Sequence, residues 1–107
     1  MKKARRVESK RQGRCYELAI KYLVKHKRGT LVHARVWSPN LQKMIDHALV
    51  EIDEYTTYEP VTDRCFLKPW LYARYTVEEL KRYSVEEVAI MVLKEKNYGP
   101  WHKEAGG

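Results

Sequence analysis

The chain has little of what disulfide-rich, metal-binding and membrane proteins require. Its only two cysteines, Cys15 and Cys65, are fifty positions apart, and no CxxC pair or histidine spacing typical of zinc ligands is present. No apolar run approaches the ~20 residues of a membrane span, and the first thirty residues contain no apolar signal-peptide core. We therefore expect a cytoplasmic protein without membrane contact, bound metal or other cofactor.

Positive charge is concentrated at the N-terminus. The net charge is +7, and residues 1–14 hold seven Lys or Arg against one Glu, which leaves the remainder nearly neutral. We expect residues 1–11 to form a basic, flexible arm and residues 12–107 a single domain with a modest core. The arm is either a solvated tail or a weak contact for nucleic acid through phosphate neutralisation. Its candidate contact residues are Lys2, Lys3, Arg5, Arg6, Lys10 and Arg11.

The apolar pattern predicts an α+β fold. Residues 15–23 place apolar side chains on one helical face, and the helix should end near Gly29. Alternation in "TLVHARVW" predicts a strand whose buried face excludes His33. Residues 46–52 and 56–61 predict two further strands, the last placed at an edge or cut short by Pro60.

The C-terminal third of the chain is predicted to be mainly helical. Residues 64–74 show no period and are expected to be irregular, with Cys65 a packed filler. Thr76–Glu79 and Ser84–Glu87 both have capping-box spacing and predict two helices. The predicted order is thus one helix, an antiparallel sheet of about three strands, and two short helices.

Cys15 is a candidate nucleophile because it opens a helix, where free N–H groups and the helix dipole favour a thiolate. A nucleophilic cysteine needs a base, and the base needs a group that orients it. His47 opens the second predicted strand, and Glu59 lies on the next, which can bring a carboxylate beside the imidazole. Asp63 is a reserve orienting group, and Asp46 is a neighbour of His47. The alternative is that Cys15 is structural, as most lone helical cysteines are.

"GRCYELAIKYL" resembles the nucleophile helix of the transglutaminase-like branch of papain-like cysteine enzymes. The matching positions there are Gly13, Cys15, Tyr16 and Ala19. "HALVEIDEYTTYEPVTD" is similar to the family's His-Ala-Trp-x-Glu strand and its subsequent Asp-Pro-Thr, through His47, Ala48, Glu51 and Pro60. This places Glu59 at the family's catalytic Asp, while Leu49 and Val61 stand where the family usually has Trp and Thr. The resemblance covers residues 12–63.

The resemblance implies a Cys15-His47-Glu59 triad and an acyl-transfer reaction on a peptide or amide, by hydrolysis, deamidation or amine transfer. The backbone N–H of Cys15 would stabilise the oxyanion, with Gln12 as a candidate side-chain donor. Two other classes stay open. One is a small nucleic-acid-binding module that uses the arm with Trp37, Tyr55 and Tyr58. The other is a catalytically inactive binding protein of the same fold.

Overall fold

The computed structural model describes residues 14–101, which form an α+β fold built on a five-stranded antiparallel sheet. The sheet has the strand order β4-β3-β2-β1-β5. The class agrees with the prediction, whereas the sheet has five strands instead of about three. The elements are α1 (Cys15–His26), β1 (Thr30–Ser38), β2 (Lys43–Glu51), β3 (Thr56–Glu59), β4 (Arg64–Leu67), α2 (Lys68–Tyr75), β5 (Glu78–Ser84) and α3 (Val85–Glu95).

Helix α1 follows the predicted apolar face and stops where the sequence indicates. Its buried side chains are Cys15, Ala19, Ile20 and Leu23. The helix ends at Lys27, which adopts a left-handed conformation and donates its N–H to the Leu23 carbonyl at 2.8 Å. Gly29 follows with φ +109°, and a Cβ there would lie 2.8 Å from the Glu51 carbonyl oxygen. Only glycine allows this close approach, which sets β1 directly beside β2.

The sheet is covered on both faces, which was not expected from the alternating pattern. Helices α1 and α3 cover one face, and α2 packs on the other. The first face contributes Leu31, Ala48, Val50, Tyr58 and Tyr83 to a core with α1 and α3, and the second contributes Val32, Ala34 and Leu49 to a core with Leu71. Because both faces are buried, strands β1 and β2 carry almost continuous runs of buried residues.

The outward orientation predicted for His33 is therefore wrong. Its side chain is fully buried and lies against the rings of Tyr16, Tyr83 and Trp101. Alternation correctly placed His33 on the opposite face from Val32, but it did not reveal that helices cover that face too. His33 is thus part of the core of this protein.

Two predictions for the C-terminal part are also wrong. Residues 64–74 are not irregular, because they form β4 and most of α2, with Pro69 in the first turn of the helix. Thr76 does not cap a helix at its N-terminus. It ends α2 in a left-handed conformation, and the following Glu78–Ser84 is strand β5. Pairing with the open edge of β1 overrides the helical preference of "EELKR".

The second capping box is confirmed. The Glu87 N–H donates to the Ser84 hydroxyl at 3.1 Å, and the Ser84 N–H donates to the Glu87 carboxylate at 2.9 Å. This reciprocal pair begins α3, which ends at Glu95. The strand β5 and the helix α3 therefore meet at Ser84 without an intervening loop.

Candidate active site

The three residues of the predicted triad lie in one cleft. Cys15 is the first residue of α1, His47 lies in the middle of β2, and Glu59 is the last residue of β3. All three side chains are mostly buried, with 7%, 8% and 6% of their residue surface exposed, respectively. They line an open cleft of about 660 Å³. Three segments that are separate in sequence thus meet at one concave surface, which is where binding and catalytic sites are generally found.

Sheet pairing explains how Glu59 reaches His47. The β2–β3 ladder consists of Val50 opposite Tyr58 and Glu51 opposite Thr57, so His47 lies beyond its end. Glu59 follows Tyr58 directly and therefore projects to the opposite face from it. From this position its Oε1 lies 2.7 Å from Nε2 of His47. A short ladder followed by a turn therefore places the carboxylate beside the imidazole.

The chain after Glu59 wraps around its carboxylate. The Val61 N–H donates to Oε1 at 3.2 Å, and Thr62 donates its N–H and its hydroxyl to Oε2 at 2.6 and 2.8 Å. Burial by itself would raise the pKa of Glu59, but the contacts with His47 and Thr62 outweigh it and hold the pKa below its ordinary value. Glu59 is thus an ionised, immobilised acceptor for the imidazole.

His47 connects the carboxylate to the thiol. Burial acts to lower the pKa of His47, but its interactions with the nearby Cys15 and Glu59 outweigh burial and raise the pKa to about 9. Because Nε2 faces Glu59, the other ring nitrogen, Nδ1, is the one left to face the sulfur. The three side chains thus follow one another in the order Cys15, His47, Glu59, and a hydrogen bond joins the last two. This is the order in which a nucleophile, its base and an orienting group operate.

The remaining candidate site residues have other surroundings. Asp63 accepts a hydrogen bond from the Tyr58 hydroxyl, so the contact with His47 belongs to Glu59 and not to this reserve residue. Asp46 is exposed and pairs with Arg35 at 3.6 Å. Gln12 and the arm residues Lys2, Lys3, Arg5, Arg6, Lys10 and Arg11 lie outside the described residues.

Cys65 is not the packed filler that the sequence suggested. It is an exposed residue of β4, and its sulfur lies 3.7 Å from the Tyr22 hydroxyl. The two cysteines of the chain therefore differ in both burial and surroundings. Cys65 is exposed and outside the cleft, and Cys15 is buried beside a histidine.

Most of the residues that form the walls of the cleft were not predicted from the sequence. The tip of the β1–β2 hairpin contributes Trp37 and Leu41, and α2 contributes Leu71 and Tyr75. The spacing of Leu71 and Tyr75, four residues apart, was the available signal, but it lay in a segment interpreted as irregular. The aromatic cluster of Trp70, Tyr72 and Tyr75 is expected from the sequence either to line a cleft or to cover the sheet, and of the three only Tyr75 lines the cleft. Trp70 stacks on Phe66, and Tyr72 donates to Glu79 at 2.7 Å.

Tyr16, next to Cys15, was noticed in the sequence only as part of the family-like motif. It lines the cleft, and its buried hydroxyl has no hydrogen-bond partner within residues 14–101. Burial, together with the nearby Asp46 and Cys15, raises the pKa of Tyr16. The phenol is therefore uncharged at neutral pH.

Residues 14–101 contain no group of three or more His, Cys, Asp and Glu side chains that could hold a metal ion. Among the same residues, no helix has both the length and the apolar character needed to cross a membrane. Comparison with known protein families, curated protein sequences and solved structures finds no significant match to this chain. The chemistry of the cleft is therefore the main guide to function.

Proposed function

We propose that this protein is a cysteine-dependent acyl-transfer enzyme of the transglutaminase-like, papain-like type. Cys15 is the nucleophile, His47 its general base and acid, and Glu59 the group that orients the imidazole. The observation that supports this most strongly is the buried hydrogen bond between His47 and Glu59 in the wall of the same open cleft that Cys15 lines. A merely structural cysteine requires neither a histidine partner nor access to a cleft.

The proposed reaction has two steps. The Cys15 sulfur attacks the carbonyl carbon of an amide, and the thiol proton passes to Nδ1 of His47. That proton then moves to the departing amine as the C–N bond breaks, which leaves a thioester on Cys15. Water or a second amine attacks the thioester, His47 accepts the proton of the attacker and returns it to sulfur, and an acid or a new amide is released.

The oxyanion formed in each step lies near the first turn of α1. The N–H groups of a first helical turn have no acceptor within the helix, and the helix dipole adds positive potential there. The Cys15 N–H is the proposed backbone donor, and Gln12, three residues before Cys15, is the candidate side-chain donor. Glu59 remains ionised throughout, because its role is to stabilise the imidazolium and not to take its proton.

An activated ester tests the proposal without knowledge of the natural substrate. We expect full-length protein mixed with p-nitrophenyl acetate to release p-nitrophenol in a burst of about one equivalent, with acetyl found on the peptide that contains Cys15. Cys15→Ser and His47→Ala should lose the burst, and Cys65→Ser should keep it. A burst of equal size in Cys15→Ser would overturn the assignment. No burst in the unaltered protein would favour the inactive binding-protein alternative.

The nucleic-acid alternative has little support among the described residues. Of its three proposed stacking aromatics, Tyr58 is buried and stacks on Tyr22, with ring centroids 3.7 Å apart. Trp37 and Tyr55 are exposed, but Trp37 lines the cleft and Tyr55 lies in the β2–β3 connection. This function therefore depends on the basic arm alone.

A further inference from the structure

Apart from the triad, the walls of the cleft are mainly apolar. The hairpin between β1 and β2 supplies one wall, and α2 with the chain after β3 supplies the other. The side chains that define these walls are Trp37, Leu41, Ile45, Val61, Leu71 and Tyr75. A cleft of about 660 Å³ is within the range of small-ligand sites and has room for a large side chain beside the reacting carbonyl.

Two of these side chains are unusually exposed for their size. Leu41 is 59% exposed and Trp37 39% exposed at the hairpin tip, directly at the mouth of the cleft. The hairpin turn is held by contacts that do not use the leucine side chain. The Leu41 N–H donates to the Ser38 hydroxyl at 3.3 Å, and the Gln42 N–H donates to the Ser38 carbonyl at 2.8 Å. The backbone contacts of the turn therefore hold Leu41 in place, and its exposed side chain is accessible to a ligand.

The charged residues that line the cleft also bear on which groups can bind there. The chain contains 21 Lys and Arg residues, yet none lines this cleft within residues 14–101. Its charged lining residues are Asp46, His47 and Glu59, and the Glu59 carboxylate is engaged by His47 and Thr62. Asp46 pairs with Arg35. Among the described residues, an anionic group on the substrate would therefore meet no Lys or Arg, and the His47 imidazole is already engaged by Glu59, whereas an uncharged apolar group would meet apolar walls.

We infer that this cleft selects amides that carry a large, uncharged apolar group, aromatic or branched aliphatic, beside the reacting carbonyl. This inference rests on the proposed function of Cys15 as the nucleophile. In the bound state the apolar group lies between Leu41 of the hairpin and Tyr75 of α2. Binding removes the apolar group of the substrate and the apolar walls of the cleft from water, which favours such substrates over smaller or charged ones.

Two alkylating reagents with the same reacting carbon test the inference on the full-length protein. Iodoacetamide and N-benzyl iodoacetamide each transfer their CH₂ carbon to sulfur, the thiol proton passes to His47, and iodide leaves. The exposed Cys65, labelled in the same sample, corrects for any difference in intrinsic reactivity. We expect the benzyl reagent to modify Cys15 on the order of tenfold faster than iodoacetamide, relative to Cys65. Peptide mass spectrometry gives both rates.

A matched pair of leucine substitutions locates the preference. Leu41→Ser should reduce the benzyl preference at Cys15, whereas Leu93→Ser, which changes a 78% exposed leucine on α3 outside the cleft, should not. The inference is overturned if the benzyl reagent and iodoacetamide modify Cys15 at about the same rate after correction by Cys65. It is also overturned if Leu41→Ser leaves the preference for the benzyl reagent intact. Cys15 labelling that is slow with both reagents and unaffected by His47→Ala overturns the proposed function itself. The two failures are thereby distinguished.

Discussion

Nε2 of His47 lies 2.7 Å from Oε1 of Glu59, and the two residues are separated by twelve positions in the chain. The contact is buried, and the Glu59 carboxylate is also held by two backbone N–H groups and a hydroxyl. These contacts orient the ring of His47 and leave Nδ1 as the ring nitrogen that can accept a proton from the thiol. The proposed chemistry depends on this orientation, because a thiol proton can pass only to a nitrogen that points at the sulfur.

The first prediction concerns the titration of His47. Glu59→Gln keeps the size of the side chain but removes its charge, so the pKa of His47 should fall below its value of about 9 in the unaltered protein. Cys15→Ser should also lower it. The measurement is an NMR titration of the histidine ring protons. Glu54→Gln, an exposed change in the β2–β3 connection, is the matched control. If His47 titrates identically in Glu59→Gln and Glu54→Gln, the Glu59 carboxylate does not raise the pKa of His47, and the prediction is wrong.

The second prediction concerns stability as a function of pH. The pKa of His47 is raised from 6.5, so its stabilising contribution is complete below about pH 6.5 and is lost as the pH rises through about 9. The pKa of Glu59 is lowered from 4.5, so its contribution is complete above about pH 4.5 and is lost on further acidification. Both contributions are therefore complete between these two limits.

Thermal unfolding from pH 3 to pH 10 measures this dependence. The difference in Tm between the unaltered protein and His47→Gln should be greatest between about pH 4.5 and 6.5 and should shrink on both sides. A difference that stays constant across the whole range would show that neither group changes its protonation through this contact.

Much of the fold followed from local patterns, and the exceptions have a common cause. Helix α1 and strand β1 carry enough apolar residues to show their period, and Ser84 with Glu87 forms a cap that needs no distant partner. Strand β4 has four residues, too few to show alternation, and β5 has the composition of a helix. Both are strands because they pair with neighbours along the sheet, which no local pattern reveals.

The candidate site likewise combines residues that local sequence could predict with residues whose position depends on distant packing. Cys15 and His47 could be placed on a helix start and a strand from their own surroundings, and adjacent strands suggested Glu59. The cleft walls could not be predicted, since they depend on where α2 packs. Tyr75 faces the cleft because its helix lies on the second face of the sheet. The contacts of Thr62 with Glu59 depend on a turn that the sequence motif did not describe.

The third prediction concerns Glu51, which matches the last position of the family's His-Ala-Trp-x-Glu strand. Its half-buried carboxylate accepts from Lys68 of α2 and Arg82 of β5, both at 2.7 Å, and so joins three elements. Glu51→Ala should lower the free energy of unfolding by about 1 kcal/mol or more, because two cations lose their shared partner. Urea denaturation measures the change. Glu17→Ala removes a carboxylate that is less buried than Glu51 and pairs only with the nearby Arg14 and Lys21, so it should have a smaller effect. An equal loss in both variants would contradict a special role for Glu51.

The fourth prediction concerns the basic arm. Deletion of residues 2–11 removes Lys2, Lys3, Arg5, Arg6, Lys10 and Arg11 together with one Glu, and so reduces the net charge by five. If the arm contacts nucleic acid, the full-length chain should bind a DNA or RNA duplex with an affinity that falls steeply with salt, and the deletion should abolish most of that binding. Fluorescence anisotropy measures both.

The deletion should leave Tm unchanged, because the buried side chains of α1 begin at Cys15. A large fall in Tm would show that the arm packs against the domain. Equal binding by the two chains, or no binding by either, would exclude the arm as a nucleic-acid contact.

The most direct test of the central claim is the rate at which iodoacetamide modifies Cys15 at about pH 6. An ordinary thiol, with a pKa of about 8.5, is almost wholly protonated at that pH and reacts slowly. If His47 activates the sulfur, Cys15 should be labelled faster than the more exposed Cys65, and His47→Ala should remove this advantage while Glu59→Ala reduces it less. Labelling of Cys15 after unfolding controls for access of the reagent. Cys15 that reacts no faster than Cys65, or whose rate His47→Ala leaves unchanged, would contradict its assignment as the nucleophile.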